Sequence, residues 1–216
     1  MDFKNWRQIA FLLSIIGCIG YVVLTTIAMF FYGGGSEMDP NSPGFSLAKN
    51  YLGDLVRTVS HSGKDNMISR IIAGTGSILF SIFLIPALIA SFHFFSESSK
   101  TLEKIVSALG ICFGALFATT FMLLIIFYYN YYLALITYIF LLFTWVFYLL
   151  AFYLNKELPK MLIYLTVVAL VILLVGVQFY FLPYEGLGII SQKVIWYTIF
   201  AYYALISYIM MKQLES

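Results

Sequence analysis

The sequence predicts an all-α, polytopic membrane bundle of six transmembrane helices, with a short extracytoplasmic amphipathic helix between helices 1 and 2. Hydrophobic residues make up 62% of the chain and charged residues only 10%, whereas soluble proteins average about 45–50% and about 25%. Six apolar stretches each supply the ~20 residues that a helix needs to cross a bilayer. Only one connection is long, so we expect a single domain over residues 1–216, with the loop and its helix at about 33–66.

The six stretches have uncharged centres. An Asp, Glu, Lys or Arg in the middle of a span is the usual mark of a proton or ion pathway, and none occurs there. A small transporter is therefore the third of three functional hypotheses. The predicted spans are Ile9–Tyr32, Ile68–Phe92, Ile105–Tyr128, Tyr132–Leu154, Met161–Leu182 and Ile189–Met211.

Small residues predict how the helices pack. Because lipid tails are as apolar as leucine, helices in a membrane associate through close contact between small side chains. Gly110, Gly114 and Ala118 recur at four-residue spacing on the third span. We expect this face to seat the third span against helices of the same chain. A homo-oligomer formed through Gly110 and Gly114 is the alternative.

The distribution of lysines predicts the orientation. Cytoplasmic loops carry an excess of Lys and Arg, and short loops follow this rule best. The connections SESSKTLEK and NKELPK both contain lysines, whereas the YNYY connection on the other side has no charge. We therefore expect an integral multi-pass membrane protein with cytoplasmic N- and C-termini.

The long connection is predicted to contain an amphipathic helix. It opens with the proline-punctuated stretch GGGSEMDPNSPG, which is typical of a flexible loop. From Ser46 to Ser62, residues placed at 100° intervals divide into two faces. Ser46 suits an N-cap, and Ser62-Gly63 would end the helix. The apolar face holds Leu47, Tyr51, Leu52, Leu55 and Val59, and the polar face holds Ser46, Asn50, Asp54, Arg57 and His61.

Composition and motifs argue against several classes of protein. The net charge is only +2, and the basic residues are scattered, so we expect no nucleic-acid partner. Cys18 and Cys112 lie inside apolar runs without a CxxC pair. The motifs H-E-x-x-H, G-x-S-x-G and G-x-x-x-x-G-K-[ST] are absent. We expect no cofactor and no resident metal.

The polar face of the predicted helix is the candidate site. At about 1.5 Å per residue, the apolar helix between Arg70 and His93 is about 35 Å long, so His93 lies at the opposite end. Three further polar residues fall on the same side of the membrane as the predicted helix: two flank the start of helix two and one precedes helix six. The candidate ligand-binding residues are Asn50, Asp54, Arg57, His61, Asn66, Arg70 and Glu185.

Three interpretations of this set stay open. The leading one is a polar site that binds a membrane lipid, through its head group, or a membrane partner. The alternative is a membrane-embedded lipid hydrolase or transferase in which Asp54, His61 and Glu185 perform acid-base or metal-assisted chemistry. The structural interpretation is that Asp54 pairs with Arg57 or Arg70 to hold the helix. No catalytic residue follows from the sequence.

Two segments resemble a known family. The stretches GFSLAKNYLGDL and SHSGKDNMISRIIAGTGSILF resemble the six-helix membrane family catalogued as domain of unknown function 998. In that family a Ser-Asp-Leu-Gly-like element precedes an Asn and a glycine-containing second helix. Asp54, Leu55 and Asn66 match this pattern, whereas Gly53 and Val56 stand where Ser and Gly are common.

The entry to the last span, GLGIISQKVIW, is similar to the start of that family's last helix. A more distant resemblance links the chain to the group of damage-regulated autophagy modulators and fibroblast-growth-factor-receptor-activating proteins. These resemblances imply six helices and no particular reaction.

Overall fold

The fold is a bundle of long apolar helices, as a computed structural model that describes residues 3–96, 100–127, 131–181 and 186–215 shows. Six of its helices are long and apolar enough to cross a membrane, which confirms the predicted all-α bundle and a multi-pass membrane protein. The elements are α1 (Phe3–Phe30), a 3₁₀ helix (Leu52–Val56), α2 (Met67–Ser91), α3 (His93–Ser96), α4 (Thr101–Ile126), α5 (Tyr131–Leu154), α6 (Lys160–Phe181) and α7 (Leu187–Glu215).

The six spanning helices form a closed ring. Neighbours in the chain pack against each other, α2 with α1 and α4, α5 with α4 and α6, and α7 returns to pack against α1 as well as α6. The short helix α3 prolongs α2, and His93 begins it at the end of the bundle remote from the 3₁₀ helix. The ring leaves α7 with the largest share of buried residues among the spans.

Aromatic rings fill the centre of this ring of helices. Tyr21 of α1 stacks on Phe200 of α7 with ring centroids 4.0 Å apart. Phe80 of α2 meets Phe200 edge-on at 4.7 Å, and Phe121 of α4 lies 4.7 Å from Trp196 of α7. Because water is absent from the bilayer core, the attraction between helices comes from such packing rather than from the hydrophobic effect.

Small residues allow the close helix contacts. A Cβ atom at Gly114 would lie 2.9 Å from Leu88 of α2, and one at Gly110 would lie 3.4 Å from Phe147 and Tyr148 of α5. Both glycines therefore face helices of their own chain, as the leading prediction had it. A homo-oligomer through Gly110 and Gly114 stays a prediction.

Many hydroxyl groups inside the spans are satisfied within their own helix. Thr25 donates to the carbonyl of Tyr21 at 2.7 Å, and Thr144 donates to that of Phe140 at 2.7 Å. Each hydroxyl reaches the carbonyl one turn earlier in its own helix. Such bonds let Ser and Thr lie in an apolar environment, where an unsatisfied polar group costs several kcal/mol.

The segment between α1 and α2 differs from its prediction. In place of one amphipathic α-helix from Ser46 to Ser62, it has a turn at 46–50, the 3₁₀ helix and an antiparallel bridge between Val59 and Asp65. The prediction of an α-helix was wrong. The Tyr51 N–H bonds the Asp54 carboxylate at 3.0 Å in place of the Leu47 carbonyl that it would bond in an α-helix. Asn50 accepts from the Ser46 N–H at 2.9 Å, which closes the preceding turn.

The two faces of the segment are consequently not those of a helix. Leu47 and Val59, predicted to lie on the apolar face of the helix, are 60% and 51% exposed. Asn50 and Asp54, predicted to face water, are buried. Only Leu52 and Leu55 lie inside as predicted.

The orientation predicted from the lysines can be tested by cysteine labelling. Asn41 is exposed between α1 and α2, and Lys156 is exposed between α5 and α6. In a Cys18→Ala/Cys112→Ala background, a membrane-impermeant maleimide added to intact cells should label Asn41→Cys. It should label Lys156→Cys only after permeabilisation. The reverse pattern would invert the orientation.

Candidate functional site

Residues 33–66, called here the cap segment, close one end of the bundle. The 3₁₀ helix buries Leu52, Leu55 and Val56 and packs against α1 and α2. A cavity of about 30 Å³ lies beneath it, lined in part by Tyr21, Ser77 and Trp196 of the spanning helices. The cap segment is thus folded onto the mouth of the bundle.

Asp54 is the centre of the polar contacts in the cap segment. One carboxylate oxygen, Oδ2, accepts from the side-chain amide of Asn50 at 3.1 Å and from the Tyr51 N–H at 3.0 Å. The other, Oδ1, lies 3.1 Å from Nε2 of His61. A buried carboxylate is tolerated when such donors replace its water. Through these contacts Asp54 fixes the positions of the Asn50 side chain, the Tyr51 backbone and the His61 ring.

Asn50 is fully buried, and both the oxygen and the nitrogen of its side-chain amide form hydrogen bonds. Its oxygen accepts from Ser46, and its nitrogen donates to the Gly35 carbonyl at 2.8 Å and to Asp54. Gly35 belongs to the loop that follows α1. Asn50 therefore joins the beginning of the cap segment to the 3₁₀ helix.

Two side chains of α7 reach the cap segment from the bundle. Gln192 accepts from the Leu52 N–H at 2.8 Å. The ammonium of Lys193 donates to the carbonyls of Asn50 and Ile189, and the charge of Asp54 attracts it. Gln192 is fully buried and Lys193 is 8% exposed. Carbonyl acceptors and a nearby carboxylate compensate such a buried cation.

Asn66 fixes the other end of the cap segment at the start of α2. Its side-chain nitrogen donates to the carbonyl of Arg57 at 2.9 Å, with longer contacts to those of Asp54 and Leu55. Its oxygen accepts from the Gly33 N–H at 3.2 Å. Asn66 is therefore committed to backbone groups that would otherwise be buried without partners.

His61 and Arg57 form the accessible edge of this cluster. The side chain of His61 is 18% exposed, and its ring bonds Asp54 through Nε2, while Nδ1 has no hydrogen-bond partner among the described residues. Arg57 is exposed and donates through Nε to the Val59 carbonyl at 3.3 Å. The two terminal nitrogens of its guanidinium have no partner within the described ranges.

Tyr32 indicates how close these groups lie to each other. Burial raises the pKa of the Tyr32 hydroxyl above its ordinary value, and the charge of Asp54 adds to this rise. The His61 N–H, 3.4 Å from the hydroxyl, and the charge of Arg57 oppose it. Asp54, His61 and Arg57 therefore all act on one hydroxyl.

The structure brings together most of the predicted site residues. Asn50, Asp54, His61 and Asn66 form one network, and Arg57 lies at its edge. Arg70 lies in the first turn of α2, where its N–H donates to the Asn66 carbonyl at 3.0 Å. Glu185 lies outside the described residues.

The contacts of Asp54 and of α7 differ from those predicted. The partner of Asp54 is His61, so the simple pairing with Arg57 or Arg70 was wrong. Gln192 and Lys193 were not among the candidates, although a Gln-Lys pair two turns into an apolar helix is a recognisable signal. Within the parts of the chain that the structure describes, no three His, Cys, Asp or Glu side chains come together as metal ligands would.

Comparisons with protein families, with curated proteins and with solved structures find no match for this chain. The resemblance to the family catalogued as domain of unknown function 998 stays a prediction.

Gly35 offers a test of how firmly the cap segment is folded. Its φ of +78° is left-handed, and an added Cβ would collide with the backbone nitrogen of Ser62. A left-handed alanine costs about 1–2 kcal/mol before any collision. Gly35→Ala should therefore lower the apparent melting temperature in detergent by ~5 °C or more.

Gly44→Ala is the matched control, because a Cβ there meets nothing within 4 Å. It should leave the melting temperature unchanged. Equal effects of the two substitutions would contradict a folded cap segment.

Proposed function

We propose that this membrane protein binds the phosphate of an anionic lipid head group at the edge of the cap segment, through Arg57 and His61. One observation carries the proposal: donor atoms without partners occur at this edge. The side chains of Asn50, Asp54 and Asn66 form their hydrogen bonds with other groups of the cap segment. Arg57 and His61 keep nitrogens that no described residue engages.

The chemistry of the two side chains suits a phosphate. A guanidinium presents parallel N–H groups that match two phosphate oxygens. The Nε2 atom of His61 contacts Asp54, and a His61 ring with a proton on Nδ1 would donate from that nitrogen to a ligand. Asp54 orients this ring through the contact at Nε2.

The position of the edge also supports a lipid ligand. The cap segment connects the ends of two spanning helices, so we place Arg57 and His61 at the level of lipid head groups. Lys49 of the same segment is already engaged in an ion pair with Asp39 at 2.9 Å. This pair also holds the pKa of the Asp39 carboxyl below its ordinary value, chiefly through the hydrogen bond.

A second function, hydrolysis or group transfer on a lipid, is favoured by one specific contact. The 3.1 Å contact between Asp54 and His61 is the carboxylate-imidazole arrangement that fixes a histidine as general base. Neutral His61 would then accept a proton at Nδ1 from water or a lipid hydroxyl. Glu185 is the third residue of the predicted set and would be tested together with these two.

Binding is tested with soluble short-chain lipids. Purified protein in detergent is titrated with dioctanoyl phosphatidylglycerol and with dioctanoyl phosphatidylcholine, and native mass spectrometry measures Kd. Arg57→Gln and His61→Gln should each weaken phosphatidylglycerol binding about tenfold, because a charge-assisted hydrogen bond contributes about 1.5–3 kcal/mol. Added salt should weaken binding by the wild type.

Lys49→Gln is the matched control, since it removes the same charge from a paired side chain on the same segment. It should bind like the wild type. If Arg57→Gln, His61→Gln and Lys49→Gln all retain wild-type Kd, the binding proposal is wrong.

The same samples separate binding from catalysis. Mass analysis of the lipid after incubation shows whether it has been cleaved or transferred. A catalytic Asp54–His61 pair requires product in the wild type, little in Asp54→Asn and none in His61→Gln. Intact lipid throughout would leave binding as the function and exclude hydrolysis of this substrate.

A further inference from the structure

An apolar groove runs along the outer surface of the bundle between α6 and α7. Its volume is about 350 Å³. Because both helices are spans, the groove faces the surrounding lipid, and the side chains along it are 37–55% exposed. Those side chains are Val171, Val175 and Phe179 of α6 and Leu187, Ile190 and Val194 of α7.

Close packing of the two helices forms the floor of the groove. A Cβ atom at Gly176 of α6 would lie 2.7 Å from the side chain of Ile195 of α7, so the missing side chain lets the helices meet there. Val171, Val175 and Val194 form part of the walls. Their β-branched side chains are stiff at χ1. The groove therefore has fixed walls.

The groove has the length and polarity that suit a hydrocarbon chain. Its α6 wall, residues 171–179, extends over about 12 Å at about 1.5 Å per residue. The polar side chain in the wall, Ser191, donates to the Gly188 carbonyl of its own helix at 2.9 Å. The wall thus offers mainly van der Waals contact, which an extended acyl chain can use along its length.

A polar side chain continues the groove toward the membrane surface. Val171, Val175 and Gln178 follow each other at spacings of four and three residues, so they lie along one stripe of α6. Gln178 is exposed, and its side-chain amide has no hydrogen-bond partner among the described residues. The exposed Thr26 and Thr75 of other spans differ, since each bonds a carbonyl of its own helix. The amide of Gln178 is therefore available to a ligand.

The contacts of α6 with α7 show the depth of Gln178. Gly176 lies opposite the turn of α7 that runs from Ser191 to Ile195. The same turn holds the cap segment through Gln192 and Lys193. Gln178 lies about 3 Å beyond Gly176 along α6, which is the level of the cap segment. In a bilayer, the carbonyl groups of lipid chains lie at this border between hydrocarbon and head groups.

From this geometry we infer that the groove binds one acyl chain of a membrane lipid, whose ester or amide carbonyl accepts a hydrogen bond from the amide of Gln178. The chain lies between the valines of α6 and α7, and Gln178 fixes its upper end. The site is separate from the proposed phosphate site, because none of its residues belongs to the cap segment and its ligand needs no phosphate.

A lipid without phosphate tests the groove apart from the head-group site. Purified protein in detergent is titrated with didecanoylglycerol and with its ether analogue didecylglycerol, which lacks the carbonyls, and native mass spectrometry measures Kd. The ester should bind about fivefold more tightly than the ether, as expected for one neutral hydrogen bond. Gln178→Leu should bind both lipids equally, with the Kd that the wild type has for the ether.

A bulky side chain tests the groove itself. Val175→Trp fills part of it and should weaken binding of both lipids at least tenfold. Val168→Trp is the matched control, since Val168 is 56% exposed on the same helix and does not line the groove. It should bind both lipids like the wild type.

Three results would overturn the inference. Equal Kd values of the wild type for ester and ether would show general contact with surrounding lipid only. Val175→Trp that binds like the wild type would place the lipid elsewhere. A dimeric wild type with monomeric Val175→Trp, and no preference for the ester, would assign the groove to a second copy of this chain. None of these results bears on Arg57 and His61, because the probe carries no phosphate.

Discussion

The attachment of the cap segment to α7 depends on one group of buried polar contacts. Asp54 gathers Asn50, Tyr51 and His61, and Gln192 and Lys193 reach from α7 to the backbone beside it. Each member satisfies a group that burial would otherwise leave without a partner. The 3₁₀ helix, the cavity beneath it and the exposed edge at Arg57 and His61 all take their positions from this network. A site built in this way is held by the bundle rather than by a free loop.

The membrane imposes the same requirement throughout the chain. In the spans, hydroxyls bond carbonyls of their own helices, and small residues let helices approach until aromatic rings fill the centre. At the end of the bundle that the cap segment covers, longer polar side chains form the hydrogen bonds that the irregular backbone needs. Ser14, Trp145 and Tyr203 are exceptions among the described spans, since each keeps a buried polar atom without a hydrogen bond.

The six helices were predictable because length and hydropathy alone decide whether a segment can span a bilayer, and the residues within the spans conform to this. The structure of the cap segment was not predictable. The spacing of Asn50 and Asp54 agrees equally well with the polar face of a helix and with a buried polar network. Only the three-dimensional position of Gln192 and Lys193 decides between the two. The closeness of His61 and Arg57 to Asp54 could be inferred from their spacing in the sequence, but the contact between Asp54 and His61 required the fold. Four of the predicted residues thus share one network, for reasons that the helical interpretation did not contain.

The central claim is that α7 holds the cap segment through Gln192 and Lys193, and hydrogen exchange at Leu52 tests it most directly. The Leu52 N–H donates to Gln192 and is buried. In detergent or nanodiscs, mass spectrometry of hydrogen–deuterium exchange should show strong protection across residues 50–57 in the wild type. Gln192→Met keeps the size of the side chain but removes its acceptor, so exchange there should rise at least tenfold while the spans stay protected. Exchange of residues 50–57 in the wild type at the rate of an unfolded loop would contradict the account.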